Sequence, residues 1–165
     1  MIYLVLGFCG SGKSHLMDEM KYRGQIDRAI HDYYTTDFNK KHHENGESVF
    51  EASEYYYQLR EWIRDGKNIA VADRMFVVEK ELGKFINYLK GLDADIDIQL
   101  IAFTNEPEVA KANIVDRHKD DEDGAHAIEY FHRYIDKYSP GYTPFKYNCL
   151  IYPTFNGELW DELVI

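Results

Sequence analysis

Cysteine is scarce in this sequence, and it has no long apolar run. The two cysteines, Cys9 and Cys149, do not form the paired spacings of a disulfide framework. No apolar run approaches the roughly 18 residues that a membrane-spanning helix needs, and no secretory signal peptide is recognisable. We therefore expect a cytoplasmic protein that has no part in a membrane and needs no disulfide.

Basic residues are also in the minority. The chain has 29 acidic against 19 basic residues, and its formal net charge is −10. A surface of this sign offers no long-range attraction to nucleic-acid backbones or anionic lipids. Non-specific nucleic-acid binding is therefore disfavoured, whereas a local basic pocket for one phosphorylated ligand is compatible with this charge.

The length of 165 residues suits one ordinary domain with its own core and is too short for two. We therefore expect a single domain over residues 1–165. Because Met1 leads directly into an apolar segment, we expect no removable presequence.

Short apolar runs and amphipathic segments alternate along the chain. Strands are predicted at Ile2–Leu6, Ala29–Tyr33, Asn68–Asp73, Ile96–Phe103 and Tyr147–Tyr152. Helices are predicted at His15–Tyr22, Ser48–Asp65, Val77–Leu89, Glu106–His118 and Ala125–Tyr138, with a short closing element at Leu159–Ile165. This alternation predicts an α/β fold in which helices cover both faces of a parallel sheet, because parallel strands need crossover connections.

A phosphate-binding pattern follows the first predicted strand. The segment Gly7-Phe8-Cys9-Gly10-Ser11-Gly12-Lys13-Ser14 matches G-x-x-x-x-G-K-[ST] at every position, and we call it the P-loop. Its glycines let the backbone amides curl round an anion at the start of the next helix. In this pattern Lys13 binds the β- and γ-phosphates, and the Ser14 hydroxyl binds Mg²⁺. The segment therefore predicts binding of ATP or a similar nucleotide together with Mg²⁺.

Other residues decide which reaction the bound nucleotide undergoes. The sequence has no Asn-Lys-x-Asp segment for reading guanine, and no strand that ends in Asp-Glu for activating water. These absences disfavour a GTPase and a mechanochemical ATPase. The length suits a small phosphotransferase better.

Short motifs beyond the P-loop resemble those of the P-loop kinases that act on nucleosides, nucleotides and polynucleotide 5′ ends. They are His31-Asp32-Tyr33, Ala72-Asp73-Arg74, Pro107-Glu108-Val109-Ala110 leading to Arg117, and Phe131-His132-Arg133 with Tyr138. The Asp-Arg and Pro-Glu-Val-Ala motifs look most like thymidylate and deoxynucleoside kinases, whereas His-Asp-Tyr looks more like polynucleotide kinases. The resemblance extends over nearly the whole chain. It implies the sheet order 2-3-1-4-5 and a small helical lid near residues 113–138.

The chain departs from these families at two places. Polynucleotide kinases usually carry an arginine just after their Asp-Asp-Tyr-like segment, where this chain has Thr35 and Thr36. The lid helix of the kinases often bears two arginines four residues apart, and here Asn113 takes the first place and Arg117 the second. The identity of the acceptor therefore stays open.

The resemblance implies roles for two aspartates beside Lys13. Asp32 would accept the proton of an attacking hydroxyl, and its alternative role is to cap a loop. Asp73 would orient Mg²⁺ through water or serve as the base itself, and its alternative role is to cap the next helix. Arg74 would contact a phosphate of the acceptor or the donor.

Arg117 and Arg133 are the lid candidates, because arginine binds a phosphoryl group through two parallel hydrogen bonds. Their alternative role is on a solvated helix face. His42 and His43 lack the further ligands of a zinc site, so we expect them to be loop residues.

Together these features predict an ATP- and Mg²⁺-dependent phosphotransferase whose acceptor is a nucleoside, nucleotide or similar small molecule. Two alternatives stay open. One is a kinase of polynucleotide 5′-hydroxyl ends, which the Asp32 segment favours. The other is a regulatory ATP-binding protein without transfer activity. The sequence leaves the oligomeric state open.

Overall fold

A five-stranded parallel sheet lies at the centre of the structure. The computed structural model describes residues 1–33 and 53–157. The strands are Ile2–Leu6 (β1), Arg28–Ile30 (β2), Ile69–Ala72 (β3), Ile98–Phe103 (β4) and Cys149–Tyr152 (β5). Their spatial order is β2-β3-β1-β4-β5, and every neighbouring pair is parallel. The predicted sheet order is therefore confirmed, with β1 in the middle.

Helices form most of the connections between the strands. Within the described residues the α-helices are Lys13–Tyr22 (α1), Tyr56–Arg64 (α2), Glu79–Leu92 (α3), Pro107–His118 (α4) and Gly124–Tyr138 (α5). Short 3₁₀ turns lie at Arg74–Val77, Ser139–Gly141 and Pro144–Lys146. Pro107 is the first residue of α4, where its missing N–H leaves no helical hydrogen bond unmade.

Successive residues of β1 face opposite sides of the sheet, and helices cover each side. Leu4 belongs to a buried cluster with Leu59 of α2 and Phe85 of α3. Val5 belongs to a second cluster with Leu16 of α1. These five side chains are at most 4% exposed. The structure is therefore a three-layer α/β fold with the strand order of the P-loop kinases, as predicted.

The helices α4 and α5 pack together beside the P-loop. Ile114 of α4 and Ile135 of α5 are buried in one cluster with Phe8, which follows β1. The turn between the two helices needs a glycine at its end, because a Cβ on Gly124 would lie 2.2 Å from the carbonyl oxygen of His118. The two helices include residues 113–138, and the lid role that the resemblance implies for this segment stays a prediction.

Most elements begin or end one to three residues away from their predicted bounds. The differences at the end of β2 and at the start of α2 have a clear local cause. β2 ends at Ile30, so Asp32 lies outside the strand. The chain next bonds β3 at Tyr33, whose amide donates to the Ala72 carbonyl at 3.1 Å. α2 begins at Tyr56, because residues 53–55 form a turn in which the Tyr56 amide donates to the Ser53 carbonyl at 3.0 Å. Both differences arise from local turns that periodicity does not reveal.

Some predictions fall on residues 34–52 and 158–165, which lie outside the described residues. They include the loop with His42 and His43, the first part of the predicted Ser48–Asp65 helix, and the closing element Leu159–Ile165. In the described ranges, none of the helices combines the length and apolar character needed to cross a bilayer. The single domain over residues 1–165 stays a prediction.

Candidate functional site

The P-loop connects the carboxyl end of β1 to the first turn of α1, and Gly12 is the N-cap of that helix. Gly10 and Gly12 have φ angles of +82° and +106°, in the left-handed region that residues with a Cβ rarely adopt. A Cβ on Gly10 would also lie 2.4 Å from the carbonyl oxygen of Ala110 in α4. Backbone conformation therefore requires glycine at both positions, and space requires it at Gly10.

Hydrogen bonds from outside the P-loop hold its backbone in place. The Asn113 side-chain amide of α4 donates to the Gly10 carbonyl at 2.8 Å and to the Phe155 carbonyl at 2.5 Å. The Phe155 amide, just after β5, donates to the Ser11 carbonyl at 2.9 Å. Two separate segments, α4 and the residues after β5, therefore meet the loop, and Asn113 of α4 bonds both the loop and the segment after β5.

Phe8 anchors the loop from beneath. It is 1% exposed, and its ring meets those of Tyr134 and Tyr142 edge-on, with centroids 6.2 and 5.1 Å apart. Tyr142 in turn donates its hydroxyl to the Phe103 carbonyl at the end of β4, at 2.6 Å. Buried aromatic packing of this kind makes the loop part of the rigid core.

The ammonium group of Lys13 lies inside the P-loop. It donates to the carbonyl oxygens of Gly7 at 2.8 Å and Phe8 at 2.7 Å. Burial lowers the pKa of Lys13, while Cys9, Asp73 and Asp32 oppose that shift and Arg117 adds to it. An anion bound in the loop would favour the charged ammonium, so the arrangement suits a polyphosphate.

A cavity of about 550 Å³ opens beside the P-loop, and we call it the P-loop cavity. Its lining includes most of the predicted site residues: Cys9, Gly10, Gly12, Lys13, Ser14, Asp32, Arg74 and Arg117. The volume lies within the range of roughly 300–1,000 Å³ typical of small-molecule sites. Side chains from four separate parts of the sequence thus converge at the carboxyl ends of the strands, where ligands bind in such sheets.

Asp32 and Asp73 follow neighbouring strands but have different surroundings. Asp32 is exposed on the wall of the P-loop cavity, two residues after β2 ends. Asp73 is 1% exposed, and its carboxylate accepts the Met75 amide at 2.8 Å as N-cap of the 3₁₀ turn that begins at Arg74. The capping role that the sequence left as an alternative is therefore present for Asp73, and it fixes the backbone that carries Arg74.

The two predicted lid arginines lie in different places. Arg117, in the last turn of α4, lines the P-loop cavity. The side chain of Arg133 is 75% exposed and pairs with Glu129 at 2.5 Å. Arg133 lines a second, smaller cavity together with Asp73 and Arg74. Arg117 therefore lines the same cavity as Lys13, whereas Arg133 lines the neighbouring cavity.

Sequence reasoning missed Phe155 and His15. Both line the P-loop cavity, and their rings are 5.2 Å apart at an interplanar angle of 38°. The position of Phe155 just after β5 was the available signal, since residues that follow parallel strands gather at the ligand-binding edge. The role of Asn113 was also missed, because its two bonds join segments far apart in sequence.

Cys9 differs from the usual behaviour of a thiol at a helix N-terminus, where the pKa tends to fall. Burial raises the pKa of Cys9, and this outweighs the opposite effects of Lys13, Arg74 and Arg117. This shift favours the neutral thiol over the reactive thiolate.

The residues at the site fit Mg²⁺ better than zinc. Among the described residues, no three His, Cys, Asp or Glu side chains form a metal-binding group. Mg²⁺ keeps several waters and needs only one or two protein ligands besides phosphate oxygens. The exposed hydroxyl of Ser14 on the cavity wall, next to Lys13, is a ligand of this kind.

Comparison with known proteins shows similarity in structure and none in sequence. No protein-family model matches the chain, and no curated protein matches it. The fold is similar to that of an uncharacterized protein from Eubacterium ventriosum, at 8% identity and a TM-score of 0.50, over 93% of this chain and 89% of that one. A deoxyadenosine kinase from M. mycoides, solved with bound dATP, aligns at 14% identity with a TM-score of 0.46, over 94% and 91% of the two chains. An identity of 8% shows a shared fold and nothing of a shared activity.

Proposed function

We propose that this chain is an ATP- and Mg²⁺-dependent phosphotransferase that moves the γ-phosphate of ATP to a nucleoside, nucleotide or similar small acceptor. The observation that carries the proposal is the P-loop with the Lys13 ammonium inside it, at the edge of a cavity that also gathers Asp32, Arg74 and Arg117. Cations and a carboxylate around one phosphate-binding loop are the parts that phosphoryl transfer needs.

The donor is held by the first turn of α1. Backbone amides of Gly12, Lys13 and Ser14 bind the phosphate oxygens, and the positive end of the helix dipole favours the charge of these oxygens. Lys13 exchanges its hydrogen bonds to the two loop carbonyls for bonds to the β- and γ-phosphates. The Ser14 hydroxyl would hold Mg²⁺, which would supply further neutralisation of the phosphate charge.

Transfer is a displacement at the γ-phosphorus. An acceptor oxygen forms the new bond, the bond to the bridging oxygen of the β-phosphate breaks, and ADP leaves with the electron pair. If the acceptor is a hydroxyl, Asp32 takes its proton, because this carboxylate is exposed on the cavity wall. Arg117 stabilises the charge of the transferring group. The α4–α5 pair, packed beside the P-loop, limits the access of water to the phosphate.

A transfer screen tests the proposal. The purified protein is incubated with γ-labelled ATP, Mg²⁺ and nucleosides, nucleotides or 5′-hydroxyl oligonucleotides in separate reactions. We expect label in one class of small acceptor, and loss of that product in Lys13→Ala. Lys21→Ala is the matched control, because Lys21 is exposed on the same helix and lies outside the cavity lining.

Other results of the screen would overturn the proposal in different ways. Label on the oligonucleotide alone, with affinity that falls steeply as salt rises, would indicate a polynucleotide kinase. Release of free phosphate with no labelled acceptor would contradict the proposed kinase activity and indicate ATP hydrolysis alone. ATP binding without transfer, with function lost in Lys13→Ala but kept in Asp32→Ala and Asp73→Ala, would indicate a regulatory ATP-binding protein.

A further inference from the structure

The second cavity, beside the P-loop cavity, has the character of a ligand site. It encloses about 290 Å³, near the lower end of the volumes typical of small-molecule sites. One side is the backbone turn that follows β3, and the other is one face of α5. Because α5 belongs to the helix pair beside the P-loop, this cavity lies between that pair and the sheet.

Three tyrosines form the helical wall of the second cavity. Tyr130, Tyr134 and Tyr138 recur every four residues on α5, so they share one face of the helix. The rings of Tyr134 and Tyr138 are 5.3 Å apart, while Tyr130 is 48% exposed. An exposed ring on a cavity wall offers a flat surface on which a planar ring can stack.

Cations surround these rings. Among the described residues that line the cavity, Arg74, Arg133 and Lys137 are basic, and Asp73 is the one acid. The guanidinium of Arg74 lies 5.5 Å from the centre of the Tyr130 ring. Arg133 pairs with Glu129 at 2.5 Å. The preference of this cavity for an anionic ligand therefore rests on Arg74 and Lys137, which stand against one carboxylate in a chain of net charge −10.

The second cavity and the P-loop cavity share a wall. Arg74 lines both of them. The Tyr134 hydroxyl donates to the Arg74 carbonyl, and the Tyr134 ring meets Phe8 of the P-loop edge-on at 6.2 Å between centroids. A ligand in the second cavity would therefore have its charged end at Arg74, on the side of the donor.

We propose that the second cavity binds the acceptor, and that the acceptor is a nucleoside monophosphate. This inference rests on the proposed phosphotransferase function and names its substrate class. The base stacks on the tyrosine wall, and Arg74 and Lys137 bind the phosphate. The ring accounts for the aromatic wall, the phosphate accounts for the cations, and the shared Arg74 accounts for the adjacency to the P-loop.

The chemistry of the step follows from this acceptor. An oxygen of its phosphate attacks the γ-phosphorus of ATP, a phosphoanhydride bond forms, and ADP leaves with the electrons of the broken bond. A phosphate monoester has a second pKa near 6, so at pH 7 the attacking oxygen is already deprotonated for most molecules. No proton has to be removed in the step.

Binding measurements on two variants test the proposal. Calorimetry gives the dissociation constants of AMP, GMP, CMP and TMP, and of the matching nucleosides, with a non-hydrolysable ATP analogue present. We expect one monophosphate to bind the unaltered protein at least about tenfold more tightly than its nucleoside, as a charge-assisted hydrogen bond predicts. Lys137→Ala and Tyr130→Leu should each weaken that binding by about tenfold and leave binding of the ATP analogue unchanged.

Lys90→Ala is the matched control, because Lys90 is exposed on α3 and lies outside the lining of both cavities. Lys137 and Tyr130 are exposed as well, so both variants should keep the thermal stability of the parent. Unchanged binding in Lys137→Ala and Tyr130→Leu, equal binding of nucleoside and monophosphate, or no binding of any monophosphate would each overturn the proposal.

The outcomes separate the two proposals. If label is transferred to an acceptor whose affinity is unchanged in Lys137→Ala and Tyr130→Leu, the proposed acceptor site is wrong and the proposed phosphotransferase activity is supported. If a monophosphate binds in a way that depends on Lys137 but receives no label, the cavity assignment stands and the transfer activity does not.

Discussion

Replacing Asn113 with alanine tests how the P-loop is held in position. Its side-chain amide donates to the carbonyl oxygens of Gly10 and Phe155 at 2.8 and 2.5 Å. A hydrogen bond contributes about 0.5–1.5 kcal/mol of net stability, so losing two should lower the free energy of unfolding by about 1–3 kcal/mol. The higher helix propensity of alanine offsets up to about 0.7 kcal/mol of this loss within α4. The expected net decrease is about 0.3–3 kcal/mol.

Urea unfolding followed by circular dichroism measures this decrease. Asn87→Ala is the matched control, because Asn87 is exposed within α3 and the substitution makes the same change in helix propensity. The difference between the two variants therefore isolates the hydrogen bonds of Asn113. We also expect weaker ATP binding in Asn113→Ala alone, because the Gly10 backbone would lose its support. Equal unfolding free energies for the two variants would refute the bridging role.

Four further perturbations have defined outcomes. Gly10→Ala should destabilise the protein by about 2 kcal/mol or more, because Gly10 has a left-handed φ and lies close to the Ala110 carbonyl. In the control Gly91→Ala, the added methyl group lies in open space on α3, so thermal melting should show a neutral or slightly stabilising effect. Tyr142→Phe should cost about 1–2 kcal/mol of unfolding free energy by removing a buried hydrogen bond, and Tyr22→Phe, at 87% exposure, should cost nothing measurable. Hydrogen bonds from a threonine hydroxyl and a backbone amide lower the pKa of Glu106. The ionised carboxylate therefore adds to the free energy of unfolding above its unfolded pKa of about 4.3, and this stabilisation is lost as pH falls through the folded pKa. In Glu106→Gln, the loss of stability measured during acid titration should be smaller by this amount. Arg117→Ala should lower kcat by on the order of 10²–10³-fold with little change in ATP binding, measured once an acceptor is known.

The sheet could be predicted from the sequence because its central strands are buried on both faces. Leu4, Val5 and Leu6 are each 0% exposed, and Ile69–Ala72 are as well, which gives the uninterrupted apolar runs typical of parallel strands. The edge strand β2 has a mixed pattern of exposure, and its predicted end at Tyr33 lay three residues beyond the observed one. Strands buried on both faces therefore gave clear apolar runs in the sequence, whereas the partly exposed edge strand β2 did not.

The details of the site depend on contacts between distant segments, and these left little trace in the sequence. The Asp32 motif was visible, but its exposure depends on where the chain leaves the β2 ladder. The period of four in Tyr130, Tyr134 and Tyr138 is also what a helix buried in the core would show. Only the packing of α5 against the turn after β3 reveals that these tyrosines line a cavity.

Of the two aspartates, Asp32 gives different predictions for a hydroxyl acceptor and for a phosphate acceptor. The Asp73 carboxylate is 1% exposed and accepts the Met75 amide, so it holds the turn that carries Arg74. Asp32 is exposed on the P-loop cavity and is the better placed of the two to accept a proton. A hydroxyl acceptor needs that proton removed, and Asp32→Asn should then lower kcat by about 10²–10⁴-fold. A phosphate acceptor is already deprotonated at pH 7, and the same substitution should then change kcat by less than about tenfold. A large loss of kcat with a nucleoside monophosphate would therefore contradict a phosphate oxygen acting without a base, and would return the acceptor to the hydroxyl class.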